Sequence, residues 1–172
     1  EEAKGQLTET AWAERLVQAH GDDLRHDSGL GWLTWDGMRW ARNEKSAWRM
    51  ARDVAPMIRL EAASISDWEI AKLYFSNAKQ ASSERGLRAM LRIAESENGV
   101  DADGLEFDKQ PWLLNCANGT VDLRTGELRP HQREDHLTKL CPTAYNPAAT
   151  APRWERFLAE VFEEDAELIG YM

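Results

Sequence analysis

The chain has 172 residues, of which 42% are hydrophobic and 30% charged, an ordinary composition for a soluble globular protein of one medium or two small domains. Its net charge of −9 excludes a protein whose whole surface binds nucleic acid, so any such contact must be local. No apolar run approaches the roughly 18 residues of a membrane span, and the polar N-terminus predicts no signal peptide. We therefore expect a cytoplasmic protein with no membrane partner.

Cysteine and tryptophan usage adds two expectations. Cys116 and Cys141 form no CxxC pair, which favours two reduced thiols. The eight tryptophans are dispersed along the chain, so we expect them to be core anchors rather than one stacking platform.

The first segment, residues 8–43, is predicted to be a helix followed by a β-hairpin. Thr8 can cap a helix that runs to His20, with Gly21 at its exit. Asp36-Gly37 is then the signal for a two-residue type I′ turn. That turn would place Trp35 opposite Met38 and Leu33 opposite Trp40, with all four side chains on one face.

Residues 44–98 have helical periodicity. Pro56 is expected to kink or end the first helix of this segment. Ser66 or Asp67 can begin the second helix, and Ser82 or Ser83 the third. The third helix has an apolar stripe made of Leu87, Met90, Leu91 and Ala94.

Residues 105–147 are predicted to form an antiparallel β-meander. Asn118-Gly119 is a second type I′ signal, which places Cys116 opposite Val121. The next turn is either a two-residue Thr125-Gly126 loop or, with less strain, a four-residue loop with Gly126 in the left-handed region. Both alternatives put Val121 and Leu128 on one face, and Pro130 ends the last strand.

A last helix is predicted over residues 150–164, with Pro152 at its first position. Its apolar stripe comprises Trp154, Phe157, Leu158, Val161 and Phe162, and we expect it to pack within the domain. The fold class is therefore α+β: N-terminal helix and β-hairpin, helical middle, antiparallel β-meander and C-terminal helices. Residues 165–172 read as a helix without a cap, as at the start of a truncated connection.

Motifs for catalysis and for metal binding are missing from the sequence. There is no GxxxxGK[ST], GxSxG or HExxH, and no Cys/His set has zinc spacing. A calcium loop at Asp101 and Asp103 is excluded, because both of its essential carboxylates would be missing. A magnesium pair would need a rigid strand and further charged partners, whereas these residues lie between a helix exit and a short strand, so a solvated acidic turn is the better interpretation. The spacing of His131 and His136 matches no zinc pattern, and His131 is expected to anchor the strand end by a hydrogen bond. We predict no catalytic residue, no metal ligand and no cofactor.

Arg85, Arg88 and Arg92 are the candidate nucleic-acid-binding residues. At helical spacing they lie within about 60° of one another, opposite the apolar stripe of their helix. Two interpretations remain open: an ordinary solvated face paired with Glu84 and Glu95, or a ridge (the arginine ridge) that contacts the phosphates of single-stranded DNA.

One stretch of the chain resembles a known family. Its residues are Phe107-Asp108-x-x-Pro111-Trp112-Leu113-Leu114-Asn115, then Asn118-Gly119-x-x-Asp122-Leu123-x-Thr125-Gly126-x-Leu128-x-Pro130-His131, then Asp135-x-x-Thr138-Lys139. Together with Trp35-Asp36-Gly37-x-x-Trp40 upstream, it resembles the phage and plasmid primase–helicase family. The matching part is the domain that precedes the superfamily 3 helicase, as in the N-terminal part of the poxvirus primase–helicase.

The resemblance implies an accessory domain over residues 8–164 of a DNA-replication protein in a bacterial cell. The parent would carry a primase or other module upstream and an ATP-driven ring helicase downstream. ATP and magnesium would belong to that helicase, beyond Met172, and the partners would be DNA and the neighbouring modules. Two further hypotheses stay open, namely a metal-dependent nucleotidyl transferase around Asp101 and Asp103, and a structural spacer.

The family has no agreed catalytic residue in this region, so the motif residues are expected to have structural roles in turns and strand ends. These residues are Trp35, Asp36, Gly37, Trp40, Pro111, Leu114, Asn115, Asn118, Gly119, Asp122, Gly126 and Pro130.

Overall fold

The computed structural model describes residues 7–105, 107–162 and Glu167. This part of the chain is α+β, as predicted, with five α-helices and two three-stranded antiparallel sheets. In chain order the elements are α1 (Glu9–His20), β1 (Leu24–Asp27), β2 (Gly31–Trp35), β3 (Trp40–Arg42), α2 (Glu44–Ser64), α3 (Trp68–Ala81), α4 (Glu84–Ala94), β4 (Leu113–Cys116), β5 (Gly119–Asp122), β6 (Glu127–Arg129) and α5 (Pro152–Val161). A 3₁₀ turn, Arg133–Asp135, follows β6. The segment beyond Phe162 that was predicted to start a connection lies, Glu167 aside, outside the described residues.

The core lies among α1, α2, α3, α4 and one face of the first sheet. It is built from small residues of α2, the predicted stripe of α4, and large side chains from the N-terminal segment such as Trp12, Leu16 and Leu24. All four residues of the α4 stripe are buried, which confirms that prediction. The small residues of α2 let the neighbouring helices approach closely, so this helix forms the centre of the bundle.

The predicted helix starts are confirmed by their caps. Thr8 Oγ1 accepts a hydrogen bond from the backbone N–H of Ala11 at 3.2 Å, and Ser83 Oγ accepts one from Gly86 at 3.0 Å. Asp67, one of the two alternatives for α3, accepts from the N–H groups of the first helical turn. Local side-chain chemistry therefore determines where these helices begin.

The expectation that Pro56 could end its helix was wrong. The proline lies inside α2, which continues to Ser64. Its side chain is exposed, so the ring and the missing N–H face solvent while the opposite side of the helix buries Val54, Ala55 and Ile58. Burial of that face outweighs the cost of about 3 kcal/mol that an interior proline imposes.

The first sheet has the order β1-β2-β3, and two features of it differ from the prediction. Strand β1 was not foreseen, because Leu-Arg-His-Asp has one apolar residue and no alternation. The hairpin exists, but its register is shifted by two residues, with Trp35 opposite Trp40 and Leu33 opposite Arg42. Asp36 is the reason, because its carboxylate accepts the N–H groups of Met38 and Arg39 and closes a longer loop.

The second sheet is the predicted meander, in the order β4-β5-β6. Its first turn is also shifted by two residues, since Cys116 lies opposite Gly119 and Leu114 opposite Val121. Asn118 does not adopt positive φ; its side chain instead exchanges two hydrogen bonds with the backbone of Tyr145, at 2.8 and 3.0 Å. The two-residue turn is therefore at Ala117-Asn118, and a tertiary contact of Asn118 accompanies it.

The rest of the meander follows the sequence. Val121 pairs with Leu128 across a four-residue loop in which Gly126 has φ +72°. This is the less strained of the two alternatives. Strand β6 ends at Arg129, immediately before Pro130.

Helix α5 begins at Pro152, as predicted, but its stripe does not pack within the domain. Leu158 is buried, whereas Trp154, Phe157 and Val161 are each about half exposed, at 51%, 48% and 52%. The periodicity predicted which residues share a face, but nothing in the described part of the chain covers that face.

The tryptophans are only partly core anchors. Trp12, Trp32 and Trp40 are buried, while Trp68, Trp112 and Trp154 are exposed. Among the described residues, none of the helices has both the length and the hydropathy of a membrane span.

Candidate nucleic-acid interface

The arginine ridge on α4 lies at the surface, on the side opposite the buried stripe. All three side chains are exposed, as the helical spacing requires. Arg88 is engaged, because its Nη2 lies 2.8 Å from Glu84 Oε1 and its guanidinium lies 5.5 Å from the ring centroid of Trp48. The ion pair partly neutralises the centre of the ridge, so the attraction for phosphate rests mainly on Arg85 and Arg92.

A cleft of about 520 Å³ adjoins the N-terminal end of the ridge. Arg85 and Lys79 supply positive charge to its lining, and Glu9 supplies a carboxylate. Because Arg85 already belongs to the ridge, the cleft adds only Lys79 and Glu9, whose charges cancel. The charge available to a phosphate is therefore that of the ridge itself, which suits a weak contact and not a tight one.

The two aspartates that could have formed a magnesium pair have structural roles. Asp103 accepts a hydrogen bond from the backbone N–H of Ser28 at 2.6 Å, and Asp101 accepts one from the N–H of Asp103 at 2.9 Å. Within the described residues, no group of three or more His, Cys, Asp or Glu side chains could hold a metal ion. The geometry gives the nucleotidyl-transferase hypothesis no support.

Asn115 is the centre of the family-like motif. Its amide nitrogen donates to the carbonyl oxygens of Met38 and Lys139, both at 3.0 Å, and so joins β4 to the loop of the first sheet. Its oxygen lies 2.8 Å from Nδ1 of His131. His131 thus holds the end of the strand by a hydrogen bond, as expected. The side chain of Asn115 is buried, so these contacts fix how the two sheets meet.

Other polar motif residues hold loops in place. Both carboxylate oxygens of Asp108 accept hydrogen bonds from Thr138, one from its backbone N–H and one from its hydroxyl. Asp122 accepts from the side chain and the backbone N–H of Arg124, and these bonds lower the pKa of the Asp122 carboxyl to about 2. These interactions hold the loops at Asp108 and Asp122 in their observed conformations.

Motif residues near the start of β4 are at the surface. Pro111 and Trp112 are exposed, and Leu114 is 41% exposed. These three apolar side chains are therefore left uncovered by the described part of the chain.

The sequence reasoning missed a second group of arginines, on the outer face of the first sheet, the one opposite the helical core, where Leu33 and Trp40 are nevertheless buried. Strand pairing places Arg25, Leu33 and Arg42 in one row across the three strands, so their side chains share a face. Trp40 lies on the same face, with the Arg25 guanidinium 4.8 Å from its ring centroid. Arg25 could not have been found without strand β1, which the sequence did not indicate.

Two clefts adjoin Trp40 on this outer face. The first, called here the β3 cleft, has a volume of about 310 Å³ and is lined by Leu30, Leu33, Arg39, Trp40, Ala41, Arg42 and Thr138. The second has about 260 Å³ and is lined by Asp22, Arg25, Trp40, Arg133, Glu134 and His136. Only the second has carboxylates in its lining, so the two clefts differ in charge.

The comparison with protein families finds one family model that matches most of the chain. A family model described as "D5 N terminal like" matches residues 13–163. No curated protein matches the chain at a significant level. The family match confirms the resemblance carried by the motif around Asn115.

Proposed function

The chain belongs to the D5 N terminal like family, the domain that precedes the superfamily 3 helicase in phage and plasmid primase–helicases, and we propose that it is an accessory domain of such a helicase. Its role is to help the ring of ATP-driven motors to assemble or load on DNA, and to couple that ring to the upstream module. The family match over residues 13–163 carries this proposal.

The hydrogen-bond network of the motif supports a non-catalytic role. The polar groups of three motif residues, Asn115, Asp108 and Asn118, form hydrogen bonds that hold the two sheets and their loops together. Such a network stiffens a domain, and a stiff domain can transmit force or position between two modules. ATP and magnesium belong, in this proposal, to the motor.

Two measurements test the proposal. The reading frame that encodes this chain should also encode a GxxxxGK[ST] motif downstream. With magnesium and DNA, the whole product should hydrolyse ATP, and the 172-residue chain alone should not.

Pyrophosphate release from nucleoside triphosphates by the chain alone, with transfer of the nucleotidyl group to a nucleic-acid hydroxyl, and its loss on replacing Asp101 and Asp103 by Asn, would favour the nucleotidyl-transferase hypothesis instead. A frame without the motif would contradict the helicase context.

A further inference from the structure

We propose that the β3 cleft, between Arg39 and Arg42, is a binding site for the phosphodiester backbone of single-stranded nucleic acid. This inference rests on the proposed function, and it assigns the DNA contact to the first sheet instead of to the arginine ridge.

The lining of the β3 cleft supplies two positive charges and no carboxylate. Arg42 is exposed, and no described residue forms an ion pair with it. In a chain of net charge −9, a concave lining with two arginines is a local exception. Concave sites with one sign of charge concentrate counter-ions of the opposite sign, here an anion.

Arg39 is positioned for such a ligand before it arrives. Its Nη1 donates to the carbonyl oxygen of Thr138 at 3.2 Å, and its Nε lies 3.5 Å from Asp36 Oδ2. The carbonyl orients the guanidinium without cancelling its charge, whereas the Asp36 carboxylate, at ion-pair distance, offsets part of that charge. The side chain is 37% exposed, which leaves part of the planar fork open to the cleft. A fixed fork loses less entropy when it binds two phosphate oxygens.

Arg25 is a further cation on this face, although it lines the second cleft together with Asp22 and Glu134. It lies two strand spacings from Arg42, about 10 Å, on the same face of the sheet. Its Nη1 donates to the carbonyl oxygens of Gly21 and Leu24, so this guanidinium too is held by neutral groups. Arg25 and the β3 cleft lie on either side of Trp40, which both contact. A linear polyanion fits this arrangement better than a single ion does.

The second cleft is the less favourable part of the face. Asp22 and Glu134 line it, and Arg133 is already paired with Asp23 at 2.6 Å. Repulsion by these carboxylates would direct a nucleic-acid strand towards the β3 cleft. The volume of about 310 Å³ corresponds to roughly ten water molecules, which is room for a phosphate group and part of its sugar.

The test measures fluorescence anisotropy of a labelled oligothymidylate with the 172-residue chain at low salt. The variant is Arg42→Glu, and the matched control is Arg59→Glu, an exposed arginine on α2 with the same change in net charge. We expect Arg42→Glu to weaken binding about three- to tenfold more than Arg59→Glu does. With two or three phosphate contacts, the salt dependence of wild-type binding should have a log–log slope of about −1.5 to −2.

Three results with these proteins would overturn the inference, and a fourth with a ridge variant would do the same. They are no binding by the wild-type chain at low salt, equal effects of the two variants when both are folded, and competition by polyglutamate as strong as that by oligothymidylate. The last would indicate an acidic peptide as the ligand. If the triple variant Arg85→Glu, Arg88→Glu, Arg92→Glu alone abolishes binding, the contact lies on the arginine ridge. Each of these leaves the accessory role standing, because that role is tested by the helicase motif and the ATPase of the whole product.

Discussion

Asn115 shows at the residue scale how one side chain can join two sheets. It is buried and bonds to backbone from two different loops, those of Met38 and Lys139. Replacing it by Ala should lower the free energy of unfolding by about 2–4 kcal/mol, because two carbonyls lose their donor in a buried place.

The matched control is Asn118→Ala, which removes hydrogen bonds of the same kind at an exposed position and should cost about 1 kcal/mol. Urea unfolding of the three proteins gives the comparison. Equal losses in the free energy of unfolding for the two variants would mean that Asn115 does not join the two sheets.

Gly119 is required for a reason that the sequence did not indicate. Its φ is +150°, and an added Cβ would lie 2.4 Å from the carbonyl oxygen of Arg129 and 2.8 Å from Leu128 Cδ1. The glycine therefore allows β5 and β6 to approach. Gly119→Val should lower the free energy of unfolding by about 3 kcal/mol, through backbone overlap and strain together.

Gly37→Ala is the control for conformation alone. Gly37 has φ +95° but nothing within 4 Å of an added Cβ, so only the strain of about 1 kcal/mol applies. Thermal unfolding should separate the two variants. If the two variants lose the same stability, the close approach of β6 is not the reason why position 119 requires glycine.

Asp122 should make stability depend on pH. The side-chain hydrogen bond from Arg124, and then its backbone N–H, lower the pKa of this carboxyl to about 2 in the folded protein, against about 3.9 in an unfolded chain. A lowered pKa stabilises the fold above pH 3.9, and this contribution is lost as the pH falls through 2. The stability difference between wild type and Asp122→Asn should therefore be largest near neutral pH and shrink towards pH 2. Urea unfolding across this range measures it, and a difference that grows on acidification would contradict the assignment.

At the scale of elements, α2 shows packing overriding local propensity. Pro56 faces solvent and contributes no burial, so Pro56→Ala restores a hydrogen bond without removing a contact. The variant should be more stable than wild type by about 1–3 kcal/mol. Arg59→Ala, at an exposed position of the same helix, should change stability by less than about 0.5 kcal/mol. A loss of stability in Pro56→Ala would show that the helix needs its proline.

The sequence predicted elements better than it predicted their partners. The caps Thr8 and Ser83, the stripe of α4 and the loop at Gly126 act within a few residues, so local chemistry determines them. Both hairpin registers were wrong by two residues, because Asp36 caps its loop and Asn118 bonds to Tyr145. Periodicity likewise located the face of α5 but could not tell whether anything covers it.

The candidate site was harder to predict than the fold, because it too depends on contacts between residues that are far apart in the sequence. The arginine ridge follows from helical spacing alone, and its exposure was foreseen correctly. The arginines of the first sheet lie on two strands, so only strand pairing brings Arg25 and Arg42 into one row. The sequence had not indicated β1, so that row could not be recognised.

The whole molecule combines a negative overall charge with local surfaces of a different character. The β3 cleft is positive, and the exposed side of α5 is apolar at Trp154, Phe157 and Val161. An acidic body disfavours non-specific binding along DNA, because it repels the backbone everywhere except at such local sites. This distribution suits a domain that touches DNA at one place while another module does the chemical work.

The central claim is that this domain helps a ring helicase to assemble without taking part in ATP hydrolysis. Mass photometry over a range of concentrations should compare the product of the whole reading frame with a version that lacks residues 7–162. The account predicts that deletion raises the midpoint concentration of ring assembly at least about tenfold, or roughly 1.4 kcal/mol of lost interaction, while ATP turnover per assembled ring is unchanged. An unchanged midpoint, or rings that assemble normally but no longer hydrolyse ATP, would contradict it.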